Sequence, residues 1–435
     1  MRSSAVSDIT GEPQGERRLA HHCRPAPAAA APSSVAAFPG SSPPLLSTFL
    51  ILLLALAATR LLRKPLARWA IPAIVAELLI GFALGNTVLP FASIEPLAGI
   101  TELGVLTLFF QVGLEVRSVL LTEWPWTLAR LVALSFVAPL LAWWPLVAWW
   151  SMPPATALLC LACLSATGTG VTLRLLAQRR ALQTPSGRLL VAVSVLDDLP
   201  AMALLALAVA AGSGRLAQGA GWTGLVIGLS GAALSLRLAD AWVRCFGRRP
   251  LDPLALLLLL IGSAWVAERC GLTPLLGALW GGVLLNRLAP AGDDLNRLLA
   301  LLSDVFLPLY FISVGMRVSA PSLLEGGAWS LALALVVLAF LSKIACAVGV
   351  NAQDRRLGID RWVVVFGLIP RGLPGLVFAT TALGAGVIDQ HQFSALVLMV
   401  AVTTVIGLLL LDRRLHRLGS IGLETTSPRS VEFTG

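Results

Sequence analysis

Apolar positions in this chain come in long blocks rather than in alternation, and the positions that interrupt them are mostly Pro, Gly, Arg and isolated acidic residues. A helix that crosses a bilayer needs about 20 mostly apolar residues. Cutting the chain wherever charge, Pro or Gly clusters break the blocks leaves thirteen segments, at 44–62, 71–89, 98–116, 127–149, 154–177, 187–211, 220–243, 252–269, 273–289, 298–317, 328–350, 361–386 and 392–411. The pattern predicts an all-α polytopic membrane protein with about 13 transmembrane helices. Residues 1–43 are rich in Ala, Pro and Ser and offer no periodic apolar face, so they are expected to form a disordered N-terminal tail. No secretory apolar core stands beside their start. Residues 412–435 read as a short cytoplasmic tail.

An internal repeat organises these segments. A shift of 202 residues lays LFFQVGLEV (108–116) on YFISVGMRV (310–318), takes Pro72 to Pro274, and carries SATGTG (165–170) onto GLIPRG (367–372), so that Gly170 meets Gly372. Four identities in nine residues are weak alone, and the constant offset at separate places carries the inference. Each displacement is seven segments, an odd number, so the two copies run in opposite directions. Six-helix inverted repeats at about 44–211 and 252–411, joined by a linker helix at about 220–243, are the pattern of a secondary transporter.

Composition narrows the classes further. The chain is 57% hydrophobic and 13% charged, against roughly 25% charged in an average soluble domain, which excludes a soluble enzyme. The formal charge of +9 does not indicate nucleic acid, because the basic residues lie between apolar runs instead of forming a polar face. Their placement reports topology: odd-numbered connections and the C-terminal flank hold 22 Lys and Arg, even-numbered ones hold three (Arg215, Arg269 and Arg317). The positive-inside rule then puts the C-terminus in the cytoplasm and the N-terminus outside, although Arg2, Arg17, Arg18 and Arg24 of the tail run against it. Trp residues near segment ends suit a lipid interface. Cys160 and Cys163 form a CxxC one helical turn apart inside an apolar segment, where packing is the expected role. No cofactor and no bound metal beyond a transported ion is expected.

Ionisable groups in mid-membrane are functional candidates, since each costs on the order of 2.5–3.5 kcal/mol at a helix centre. Asp197 and Asp198 sit in the middle of the sixth segment, Lys343 in the eleventh and Arg371 in the twelfth. Only Lys64 and Lys343 among the basic residues are lysine, and lysine, unlike arginine, can lose its proton when buried. Adjacent helical residues point about 100° apart, so one carboxylate is free to bind a cation while the other pairs. A static ion pair or helix capping before Pro200 is the bland alternative. The fifth and twelfth segments are broken at mid-depth by Ser165, Thr167, Gly168, Thr169 and Gly170, and by Pro370, Gly372, Pro374 and Gly375. Irregular backbone at that depth survives only when buried in protein or lining a wet cavity, and Arg371 and the Thr hydroxyls are suited to neutralise the half-helix ends. Glu77 is a secondary candidate, equally compatible with a structural hydrogen bond. Glu115 lies near an interface, and Tyr310, Gln111 and Ser313 either line a cavity or pack.

The stretches PAIVAELLIGFALG (72–85), ELGVLTLFFQVGLEV (102–116), LSATGTGVTLRLL (164–176), VSVLDDLPAM (193–202), TPLLGALWGGVLL (273–285), LPLYFISVGM (307–316) and IPRGLPGLVFA (369–379), with Lys343, resemble the monovalent cation:proton antiporter-2 family of the sodium/hydrogen exchanger superfamily, in family order over about residues 70–411. The resemblance implies a core holding two crossed broken helices, a second domain that forms a homodimer, and elevator-like movement of the core. It implies that Asp198 carries cation and proton, that Lys343 is the partner lysine, and that Asp197 marks the double-aspartate subtype. One departure stands out: Leu373 and Pro374 follow Arg371-Gly372 where relatives usually have Glu. No Gly-rich nucleotide-binding domain follows the last segment, so regulation by nucleotide is not expected. The expected activity is exchange of Na⁺, Li⁺ or K⁺ for H⁺ in the inner or plasma membrane. The alternatives are a sodium-coupled organic-solute symporter of similar fold and a degenerate membrane sensor or scaffold.

Overall fold

The computed structural model describes residues 45–68, 72–115, 124–212, 220–247, 252–270, 273–288, 293–324 and 326–424. The tail proposed for 1–43 and residues 425–435 lie outside the described residues. Among the described residues every regular element is a helix: α1 (Leu45–Arg68), α2 (Ala73–Thr87), α3 (Ala98–Glu115), α4 (Pro125–Leu140), α5 (Trp143–Trp150), α6 (Pro154–Ser165), α7 (Thr169–Gln178), α8 (Pro185–Gly212), α9 (Ala220–Phe246), α10 (Pro253–Arg269), α11 (Pro274–Leu288), α12 (Asp293–Arg317), α13 (Ala320–Leu324), α14 (Gly326–Ala345), α15 (Ala352–Arg356), α16 (Arg361–Leu368), α17 (Gly372–Gly384) and α18 (Gln390–Glu424). Helices are what apolar runs of this length must form in lipid, where no water satisfies backbone N–H and C=O groups. Among the described residues eight spans are long and apolar enough to cross a membrane, counting broken pairs as one.

Proline decides several details. The segment expected as one helix over 127–149 is interrupted after Leu140, because Pro145 has no N–H for the carbonyl four residues back. Pro308 inside α12 likewise leaves the Asp304 carbonyl without its helical donor, and Arg60 of α1 donates to that oxygen at 3.1 Å. α18 continues past 411 to Glu424, since charge ends the apolar run without ending the helix.

The main helix contacts fall into two sets. In one, α2 packs on α12 and α1, α3 on α11 and α12, and α10 and α9 on α11; in the other, α4, α6, α7, α8, α14, α16, α17 and α18 pack on one another. Glycine lets the backbones of the first set approach closely: a Cβ on Gly81 would overlap the Ile312 carbonyl, and one on Gly315 that of Leu78. The same contacts recur between α3 and α11, where Gly282 meets the Phe110 carbonyl and Gly113 that of Leu279. A shift of 202 carries Phe110 to Ile312 and Gly113 to Gly315, but between α2 and α11 the packing follows 201, carrying Gly81 to Gly282 and Leu78 to Leu279. The single offset matching Pro72 to Pro274 is one residue out of register for these contacts.

Candidate functional site

The two breaks meet. α6 ends at Ser165 and α7 starts at Thr169; α16 ends at Leu368 and α17 starts at Gly372. Between them the Gly168 N–H donates to the Pro370 carbonyl at 2.6 Å, and the Thr172 hydroxyl to the Gly367 carbonyl at 3.1 Å. The glycines in closest approach are Gly168 and Gly372, not the aligned Gly170 and Gly372: a Cβ on Gly168 would stand 2.6 Å from the Gly372 nitrogen.

Four charged side chains converge on this crossing, each almost fully buried: Asp197, Asp198, Lys343 and Arg371. Asp197 and Asp198 point about 100° apart on α8, yet both meet Thr167, Asp197 at its hydroxyl and Asp198 at its N–H. Oδ2 of Asp197 accepts from the Ser135 hydroxyl at 2.7 Å, the Thr167 hydroxyl at 2.5 Å and Lys343 Nζ at 3.1 Å, while its Oδ1 has no hydrogen-bond partner. Asp198 turns to the break itself, where its Oδ1 accepts from the Thr167 N–H at 3.2 Å. Lys343 Nζ also donates to the Ser165 carbonyl at 2.8 Å and to the Ser135 hydroxyl. Arg371 donates to the Ala166 carbonyl at 3.0 Å, and to the Ala339 carbonyl and the Ser342 hydroxyl at 3.2 Å each.

The half-helix end explains the two cations. The last carbonyls of α6 have no helical donors and carry the negative end of its dipole. Lys343 and Arg371 take the Ser165 and Ala166 carbonyls; Lys343 pairs with Asp197 as well, while the Arg371 bonds go to carbonyls and the Ser342 hydroxyl. Ser165 contributes through this carbonyl, because its hydroxyl goes to Leu161 at 2.9 Å inside α6. The side chains of Thr169 and Glu115 lie outside the described residues.

Glu77 sits elsewhere. It is buried in the wall of a cavity of about 980 Å³ between the two helix sets, with Arg60, Asp304 and Ser303 on one side and Gly170, Arg174, Arg179, Leu373 and Asp412 on the other. Leu373, which follows Arg371-Gly372, gives this wall an apolar side chain. Tyr310, Gln111 and Ser313 pack: the Tyr310 hydroxyl is 2.6 Å from that of Thr380, Gln111 accepts from Ser303 at 3.1 Å, and Ser313 donates to the Tyr310 carbonyl. Cys160 and Cys163 are buried packing residues of α6, with Cys163 3.6 Å from the Gly375 carbonyl. Sequence reasoning missed Ser135, one hydroxyl in an apolar run with no charge beside it.

Crossed half-helices enclosing paired carboxylates and a lysine define an ion-translocating membrane protein. The chain belongs to the sodium/hydrogen exchanger family: the sequence model described as "Sodium/hydrogen exchanger, transmembrane" matches residues 49–412. It is similar to a Na(+)/H(+) antiporter of Enterococcus hirae, 25% identical over 373 residues that cover 83% of this chain and 96% of that protein. It is also similar to the high-affinity Na(+)/H(+) antiporter NhaS3 of Synechocystis sp., 28% identical over 329 residues covering 73% and 71%. The solved structure of the sodium proton antiporter MjNhaP1 from Methanocaldococcus jannaschii shares the fold, with a TM-score of 0.62, 17% identity, and coverage of 87% of this chain and 99% of that one.

Proposed function

We propose that this chain is a membrane antiporter exchanging a monovalent cation, Na⁺, Li⁺ or K⁺, for protons by alternating access. The observation that carries the reading is Asp198, a buried carboxylate held at the crossing by a backbone N–H, beside an Asp197 already engaged by Lys343. A proton and a cation compete for such a carboxylate: burial favours its neutral form, and a bound cation restores the charged one. While Lys343 keeps its proton, the two carboxylates, the ammonium and the guanidinium sum to zero formal charge, and either passenger on Asp198 adds one; release of the Lys343 proton as the cation binds would return the loaded site to zero. Asp197 then belongs to a double-aspartate arrangement in which Lys343 is the counter-charge.

The repeats support alternating access, since contacts of α2 with α12 recur as contacts of α11 with α3. We take the two halves as inverted repeats and the set containing α6, α8 and α17 as the moving core of a homodimer. The cavity wall carries Arg60, Arg174 and Arg179 from the basic-rich connections, which supports a cytoplasm-facing cavity, a cytoplasmic C-terminus and an outside N-terminus in the cell membrane.

The test is purified protein in proteoliposomes with an internal pH dye and an imposed ΔpH. Chloride salts of Na⁺, Li⁺ or K⁺ alone should dissipate the gradient. A response that requires an added organic solute would indicate a symporter, and no flux with any cation would indicate a sensor or scaffold.

A further inference from the structure

Ser135 of α4 is bound to both members of the Asp197–Lys343 pair, donating to Asp197 Oδ2 and accepting from Lys343 Nζ. We propose that Ser135 is a positioning residue that sets the pH at which Lys343 gives up its proton. The inference rests on the antiporter reading above.

The argument is a count of donors and acceptors. An ammonium has three N–H donors and no acceptor, and Lys343 Nζ meets three acceptors: the Ser135 hydroxyl, the Ser165 carbonyl and Asp197. When the ammonium releases a proton to solvent, the amine that remains has two N–H donors and one lone pair. The Ser165 carbonyl and Asp197 accept the two. Neither can donate to the lone pair. Of the described groups bonded to Nζ, only the Ser135 hydroxyl is both donor and acceptor, and rotating its O–H from Asp197 to the amine satisfies the new state without moving a heavy atom.

The two states do not gain equally. With the ammonium present, Ser135 makes two bonds to charged partners, and with the amine it makes one neutral bond. Charge-assisted hydrogen bonds are about twice as strong as neutral ones. Ser135 thus holds the proton on Lys343 more tightly than an apolar residue would, while leaving no orphaned group once the proton has gone. The other charged and titratable groups on this ring are Asp198 of α8, Arg371 at the start of α17, Cys163 of α6 and Cys346 just past α14. Asp198 bonds the Thr167 N–H, Arg371 the Ala166 and Ala339 carbonyls and Ser342, and Cys163 and Cys346 the Gly375 and Ser342 carbonyls, so the Ser135 hydroxyl is the group placed to turn its donor onto the amine. Pro139, one turn beyond Ser135, has no N–H for the Ser135 carbonyl, which leaves this turn of α4 less constrained than an unbroken one.

The experiment is the pH profile of cation-driven exchange in proteoliposomes for wild type, Ser135→Ala, Ser135→Thr and Ser135→Cys. Ser135→Ala should move the acid limb about one pH unit toward acid, and the cation KM at the new optimum should stay within about twofold, because Ser135 touches Asp197 and not Asp198. Ser135→Thr keeps the hydroxyl and should restore the wild-type midpoint. If Ser135→Ala does not fold, Ser135→Cys, a weaker donor, should show a smaller shift in the same direction. Profiles that superimpose on wild type, or a Ser135→Thr profile displaced as far as that of Ser135→Ala, would overturn the proposal and leave the antiporter reading intact. Absence of exchange by the wild type would overturn both.

Discussion

Gly168 and Pro370 are joined at the crossing by one hydrogen bond, from the Gly168 N–H to the Pro370 carbonyl at 2.6 Å. The 202-residue shift carries the first residue onto the second, so the two breaks touch at equivalent positions. Proline has no N–H. The bond therefore runs one way, and the Gly168 carbonyl takes its partner from Thr172 of its own half-helix at 3.2 Å.

Gly168→Ala tests the closeness of that contact. The new Cβ would stand 2.6 Å from the Gly372 nitrogen and 3.0 Å from the Pro370 oxygen, both backbone atoms that cannot swing aside. Overpacking of this kind costs about 1–3 kcal/mol. The thermal midpoint in detergent should fall and exchange should be lost, whereas Gly170→Ala, whose Cβ meets only the tip of Leu373 at 3.8 Å, should keep both.

Lys343→Ala strands the Asp197 carboxylate in a buried site, and removing one partner of such a pair costs about 3–5 kcal/mol. Lys343→Arg keeps the charge but forbids deprotonation. Thermal stability should therefore fall further in the Ala variant, while the Arg variant folds and loses activity or its voltage response. If Lys343 and Asp198 each release a proton per cation, wild-type exchange is electrogenic, and a potential imposed with valinomycin should change its rate. A rate indifferent to potential would leave Lys343 as a fixed counter-charge and the exchange as one for one.

Tyr310 and Thr380 join the two helix sets through their hydroxyls at 2.6 Å, and Gln390 of α18 donates to the Arg317 carbonyl at the end of α12. Neither contact is part of the cavity lining, and both tie α12 to the other helix set. Tyr310→Phe removes a bond worth about 1 kcal/mol net, roughly a fivefold change in an opening equilibrium. Backbone amide exchange in α13 and the first turn of α18 should quicken by about that factor. Unchanged protection there would show that these contacts do not hold the two helix sets together.

Asp360 caps α16, accepting from the Trp362 and Val363 N–H groups at 2.9 Å each and from Arg414 at 2.5 Å. Burial pushes its carboxyl up, but Arg414 and the two N–H groups outweigh this and hold it below the usual carboxylate value. A lowered folded-state value means that the stabilisation is complete above the unfolded value, about pH 4, and fades as pH falls through the folded one. Asp360→Ala should cost about 1 kcal/mol at pH 7. The gap between the variant and wild type in thermal midpoint should narrow at pH 3.

The helices and the charged cluster were legible because both oppose the bilayer in ways a sequence records. An apolar run of sufficient length has few other uses, and Asp197, Asp198, Lys343 and Arg371 are costly unless they pair. The breaks were legible from Gly168, Pro370 and Gly372. Ser135 was not, since most helical hydroxyls merely return to a carbonyl one turn back, as those of Ser165 and Thr403 do. Pro139 and Pro145 went unread as an interruption because no polar residue accompanies them. The separation of Glu77 from the carboxylates depends on how two helix sets face each other across a cavity, which segment-by-segment reading does not contain.

The central claim is that one carboxylate, Asp198, carries cation and proton in turn. Proton release from purified protein in weakly buffered detergent solution, recorded with a pH electrode as Na⁺, Li⁺ or K⁺ is added, tests it directly. Wild type should release protons saturably with the transported cation, with apparent affinity falling as pH falls, and Asp198→Asn should release none, while Asp197→Asn retains release with an altered pH dependence. Cation-driven release at the wild-type level from folded Asp198→Asn would contradict the account.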